Sequence, residues 1–165
     1  MTPPILGIFA SAVTGGVSTT SYESIATVTV GSGGSSSVEF TSIPGTYKHL
    51  QIRAIYRTAG AGFNPRYRFN SDTGSNYSNQ TGIAGTIVTS ASNTFNVSVV
   101  DILDYADTNK YKTLRLLDGY DANGSGYVSL GSGNWRNTSA VTSITIYNGT
   151  YAQYSHFALY GCKSA

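Results

Sequence analysis

Beyond Thr20, apolar and polar residues alternate in short runs broken by Gly, Pro, Asn, Asp and Ser. A period of two is the signature of strands with one face toward a core, and no segment carries the 3.6-residue period of a helix. Ala26, Val28 and Val30 alternate with Ile25, Thr27 and Thr29, and a Gly/Ser turn at 31–37 separates them from Val38 and Phe40. Past Pro44 and Gly45, the residues Leu50, Ile52, Ala54 and Tyr56 share one side of a strand and His49, Gln51, Arg53 and Arg57 the other. Tyr67 and Phe69 alternate with Arg66, Arg68 and Asn70, and residues 83–88 read as a short strand. Further runs at 95–103, 111–117, 127–130, 141–147 and 154–160 complete the pattern, with the stretch 105–109 as a turn. The alternation predicts Leu50, Ile52, Ala54, Val97, Val99, Leu114, Leu116, Ile144, Ile146 and Phe157 as inward-facing. About nine or ten short strands, with turn signals roughly every 8 to 12 residues, predict an all-β fold, an antiparallel jelly-roll-like β-sandwich.

The first twenty residues break this pattern. Pro3 and Pro4 favour extended backbone, Ile5, Leu6, Ile8 and Phe9 form an apolar strip, and Gly15-Gly16 supplies a flexible joint. No Lys or Arg occurs before Lys48, so the run lacks the basic flank of a signal peptide, and it is too short to span a bilayer. The reading is an extended N-terminal arm, residues 1–20, whose Ile5, Leu6, Ile8 and Phe9 anchor on a neighbour, followed by one sandwich domain at 21–165. A chain of 165 residues suits a single core.

Composition narrows the function classes. Charged residues are 11% of the chain, against about 25% in ordinary soluble proteins, while 40% is hydrophobic and Gly and Tyr number 19 and 13. A net charge of +2 argues against a protein whose main work is neutralising phosphates. Even so, Lys48, Arg53, Arg57, Arg66 and Arg68 lie in a stretch with no Asp or Glu, interleaved with Tyr47, Tyr56 and Tyr67. This basic and aromatic surface is expected to meet another subunit or an acidic neighbour rather than nucleic acid.

Chemistry-bearing motifs are sparse. Asp101, Asp104 and Asp107 are spaced i, i+3, i+6, which does not place them on one strand face, so they read as turn residues bonding backbone amides. Residues 121–126 (DANGSG) open like a calcium loop, but the twelfth position is Ser132 instead of a bidentate Glu, and the segment reads as a hairpin turn. His49 and His156 fall within strand patterns, with no nucleophile elbow or phosphate loop to accompany them. The single Cys162 has no disulfide partner and reads as a small apolar residue. Trp135 reads first as core or interface, with stacking on a glycan as the alternative. A non-enzymatic protein without cofactor, metal or membrane span is expected.

Several phrases resemble a family of tailed-bacteriophage virion proteins: residues 22–31 (YESIATVTVG), 42–53 (SIPGTYKHLQIR), 70–77 (NSDTGSNY), 101–105 (DILDY), 109–113 (NKYKT), 133–138 (GNWRNT) and 157–161 (FALYG). The resemblance covers about residues 20 to 163. It implies a β-sandwich exposed on a virion and oligomeric, among structural proteins that decorate heads or form parts of tail fibres, and it lends no catalytic residue. The expectation is a capsid decoration, or cement, protein located on the capsid surface, a homotrimer that ties major capsid protein subunits together. The alternative is a tail-fibre or receptor-binding protein recognising host polysaccharide.

Overall fold

A computed structural model describes residues 21–59, 63–78, 83–84 and 93–163. The described chain contains ten strands and no helix: β1 (Tyr22–Thr29), β2 (Val38–Phe40), β3 (His49–Tyr56), β4 (Arg66–Phe69), β5 (Ile83–Ala84), β6 (Asn96–Leu103), β7 (Lys112–Asp121), β8 (Gly126–Trp135), β9 (Ile144–Tyr147) and β10 (His156–Cys162). They form a six-stranded sheet in the order β1-β10-β3-β6-β7-β8 and a four-stranded sheet in the order β2-β9-β4-β5, antiparallel throughout. The chain crosses between sheets after β1, β2, β3, β5, β8 and β9, while β6, β7 and β8 run as a meander. The all-β expectation from period-two alternation therefore holds.

The two sheets share one core, because alternate residues of each turn toward the other. Leu50, Ile52, Val100, Ile102, Leu114, Leu116, Phe157 and Leu159 come from the large sheet, and Val38, Phe40, Tyr67, Phe69, Ile144 and Ile146 from the small one. Of the ten residues expected inside, eight are buried, but Val97 is exposed and Val99 half-buried. β6 takes the opposite phase to the expected one. Its run is apolar at both parities, so the pattern alone does not choose; the pairing of Ile52 with Val100 and of Leu50 with Ile102 does. Asn96 and Ser98 go inside instead, and the Asn96 amide donates to the Tyr56 carbonyl at 3.2 Å.

Turns are set by local chemistry. The 121–126 segment is a hairpin, as expected: Asn123 and Gly124 have φ of 54° and 100°, the pair of positive angles that a tight two-residue loop needs. The Ala122 amide donates to the Ser125 carbonyl across it at 2.7 Å. At the other end of β7, Lys112 is fully buried, and its ammonium donates to the carbonyls of Asp107, Lys110 and Thr138. Burial lowers its pKa, and the three carbonyl dipoles offset the lost hydration.

Candidate functional site

In the β3-β6-β7-β8 part of the large sheet, the residues facing away from the core are aliphatic over one region of the face. Ile55 pairs with Val97, which pairs with Gly119, which pairs with Val128. The adjacent row runs from Val99 to Leu117 to Leu130. Paired residues on one face sit about 5 Å apart, so these two rows form one continuous surface across four strands. Ile55, Val97, Leu117, Val128 and Leu130 are each between 51% and 78% exposed. Single exposed aliphatics are ordinary, whereas contiguous apolar patches of more than a few hundred Å² mark interaction sites.

The surface is not flat. One depression of about 270 Å³ lies between β10, β3 and β6, lined by Arg53, Ile55, Val97, Ala158 and His156 among others. A second of about 340 Å³ lies over β6, β7 and β8, lined by Val99, Asp101, Arg115, Leu117 and Leu130. Val99 borders both. Polar groups close the next row: Gln51 donates to Asp101 at 2.8 Å, and Arg115 bonds the other carboxylate oxygen at 3.3 Å. Arg53 pairs with Val99 and so ends the second row on β3; it donates to Gln51 at 2.7 Å, and its guanidinium lies 5.2 and 5.0 Å from the ring centroids of Tyr22 and Tyr160. An apolar floor with a hydrogen-bonded polar rim is the anatomy of a protein-binding surface. Sequence reading missed Ile55, Leu117, Val128 and Leu130 as a set. The available signal was apolar residues at both parities of β3 and β7, as in 52–55 and 114–117.

The basic residues singled out from sequence do not assemble into one surface. Arg53 belongs to the outer face of the large sheet, whereas Arg66 and Arg68 lie on β4 of the small sheet, alternating with inward Tyr67 and Phe69. The crossover between β3 and β4 puts them on opposite sides of the sandwich. Lys48 pairs with Asp104 at 2.9 Å, and Arg57 sits 5.9 Å from the Phe95 ring. Tyr56 and Tyr67, expected to interleave with these cations, are core residues instead.

Trp135 is also corrected as a glycan contact, since it is 1% exposed. It stacks on Tyr77 at 6.4 Å and meets the edge of Phe69 at 5.5 Å, leaving no ring face for a sugar. Its indole N–H donates to Asp72 at 2.7 Å. Asp72 also accepts from the Gly74 amide and the Asn76 side chain, both at 2.8 Å. These donors hold the Asp72 carboxyl below the usual carboxylate range, led by the bonds from Asn76 and Trp135. The Tyr77 hydroxyl, bonded to the backbone of Phe69 and Asp72, is pushed up to about 12 by burial.

Of the three carboxylates, Asp104 and Asp107 lie in the turn after β6, and Asp107 accepts from the Asn109 amide at 2.8 Å. Asp104 also pairs with Lys110 at 3.1 Å, and the bonds from Lys48 and Lys110 hold its pKa down. Asp101 sits apart on β6, toward the polar rim. No group of three His, Cys, Asp or Glu residues positioned to hold a metal occurs among the described residues. His49 accepts the Asp104 amide at 3.0 Å, and His156 bonds the Thr29 hydroxyl at 2.9 Å, both on strands as expected. Cys162 is half-buried on β10, and burial raises its thiol pKa. The arm residues Ile5, Leu6, Ile8 and Phe9, and the stretch 85–88 of the expected short strand, lie outside the described residues. No protein-family model and no curated protein matches the chain.

Proposed function

We propose that this chain is a structural protein of a tailed-phage virion, a non-enzymatic decoration subunit that binds the major capsid shell as an oligomer, with a homotrimer as the working assembly. The observation that carries the assembly part of this reading is the aliphatic outer face of the six-stranded sheet. Water-exposed Ile, Val and Leu in two continuous rows are unfavourable on an isolated subunit and favourable once another protein covers them. The virion part rests on the sequence resemblance across residues 20 to 163. The low charge fits both, since charged residues are depleted at the centres of interfaces.

The tail-fibre or receptor-binding reading keeps one support after Trp135 is removed from it. At the end of the β7–β8 hairpin, Tyr120 pairs with Tyr127 beside Asp121 and Ser125, and Tyr127 is exposed, a combination suited to stacking on and bonding to a sugar. Quantitative mass spectrometry of virions carrying the protein separates the two. Hundreds of copies per particle are expected for a decoration protein. A dozen or fewer would move the assignment to the tail tip, and absence from particles would end the virion reading.

A further inference from the structure

We propose that the apolar strip of the N-terminal arm, Ile5, Leu6, Ile8 and Phe9, from one copy seats on the aliphatic outer face of the six-stranded sheet of a neighbouring copy, over Val97, Val99, Leu117 and Leu130. This rests on the oligomer reading above, because an arm seated on its own sheet would cover the face within one chain and leave nothing to join copies.

Two features match arm to face. The first is charge. Residues 1–20 contain no Asp, Glu, Lys or Arg, and Val97, Val99, Leu117 and Leu130 carry no charge; Arg53, paired with Val99 at the β3 end of that row, turns its guanidinium to Gln51 and to the Tyr22 and Tyr160 rings, and Asp101 and Arg115 pair with each other in the next row. Desolvating an unpaired charge on this floor would cost several kcal/mol; the arm brings none, and Arg53, Asp101 and Arg115 are hydrogen-bonded within the subunit. A strip of Ile, Leu and Phe also suits the two depressions that flank Val99.

The second is reach. The arm joins the described chain at Ser21, next to Tyr22, which pairs with Cys162 at one corner of the sheet. Counting strand spacings and residues along the register from that corner to Val99 gives about 20 Å, while the thirteen residues from Phe9 to Tyr22 span up to about 40 Å when extended. The arm is therefore about twice as long as the path to this face requires, which leaves length for a face on an adjoining copy. Reciprocal exchange of a terminal segment between identical copies adds contacts at little structural cost.

Co-expression of two full-length variants tests the exchange, each with Cys162→Ser, one with Phe9→Cys and the other with Leu117→Cys. After oxidation, a disulfide joining position 9 of one chain to position 117 of the other is expected by peptide mass spectrometry. A chain carrying both substitutions should then give covalent oligomers on a non-reducing gel. Linkage of 9 to 117 within one chain, or no linkage in a sample that sedimentation shows to be oligomeric, overturns the arm exchange while leaving the oligomer intact. A monomeric full-length protein overturns the oligomer reading itself. A second readout uses no cysteine: Leu117→Glu with Leu130→Glu, both exposed positions, should leave circular dichroism unchanged and make chymotryptic cleavage after Leu6 and Phe9 about tenfold faster. Equal cleavage rates would count against the docking.

Discussion

On the small sheet the residues turned away from the core include Glu39, Arg66, Arg68, Thr145 and Tyr147, and the register places Glu39, Thr145 and Arg68 side by side. Arg68 lies 4.1 Å over the Tyr147 ring, so a hydrated cation covers the largest apolar group of that face. On β3, β6, β7 and β8 of the large sheet the outward positions include Ile55, Val97, Val99, Leu117, Val128 and Leu130, most of them open to solvent, beside the polar Gln51, Arg53, Asp101 and Arg115. An antiparallel sheet ordinarily solvates its outer face with polar side chains. The small sheet does so with its own residues, whereas part of the large sheet leaves aliphatic side chains exposed. The difference separates a face finished within one chain from a face suited to assembly.

The sharpest way to break this comparison uses two neighbours on β7. Leu116 is buried and Leu117 about half exposed, so Leu116→Ala should cost about 3 kcal/mol of folding stability and Leu117→Ala no more than about 0.5 kcal/mol in the monomer. Urea denaturation of both variants checks it; equal losses would mean that the outer face is already covered in the free protein. A somewhat smaller loss, roughly 1–3 kcal/mol, is expected for Gly161→Ala. A Cβ at that position would overlap the ring of Tyr47, which must shift from its place against β10. Thermal melts read this directly.

Acid probes the seam between the sheets. Asp72, in the loop after β4 of the small sheet, holds the indole of Trp135 on β8 of the large one, and its pKa is depressed in the folded protein. A depressed carboxyl contributes stability that is present above its unfolded value and is lost as pH falls through the folded one. Stability should therefore decline below about pH 4, and Trp135 fluorescence should report the change. Asp104, also depressed, adds to the same decline. Asp72→Asn should be less stable at neutral pH and show a shallower acid loss; an unchanged acid profile would remove Asp72 from the seam. The smallest effect is expected from Arg68→Ala, below about 1 kcal/mol because the cation lies on a partly solvated face. A sedimentation profile like that of the parent chain would also confirm that the small sheet takes no part in self-association.

Much of the fold was legible in the chain because strands announce themselves locally. In β4 and β9 the polar and apolar residues separate cleanly, in β3 and β7 the alternation still identified the buried residues despite Ile55 and Leu117 on the other face, and Asn123-Gly124 declares its own turn through backbone conformations that few other residues adopt. The candidate surface was less legible. Leu117 and Leu130 become neighbours only through the β7–β8 register, and Val99 joins them only through β6. In sequence each looks like an ordinary member of a strand.

The sequence by itself determined that this protein is built of strands, roughly where most of them lie though not how far β7 and β8 run, and that charge is scarce. Tertiary structure alone decided which parity of β6 is inside, that Arg53 and Arg68 lie on opposite sheets, and that Trp135 is enclosed by the 70–78 loop. The physical reason is the range of the interactions. A period of two is imposed by the backbone of each strand and divides its residues into two faces. The choice between those faces, and the identity of each residue's neighbours, depends on pairing with strands far away in the chain, so equal hydrophobicity on both faces leaves the choice to the partner strand.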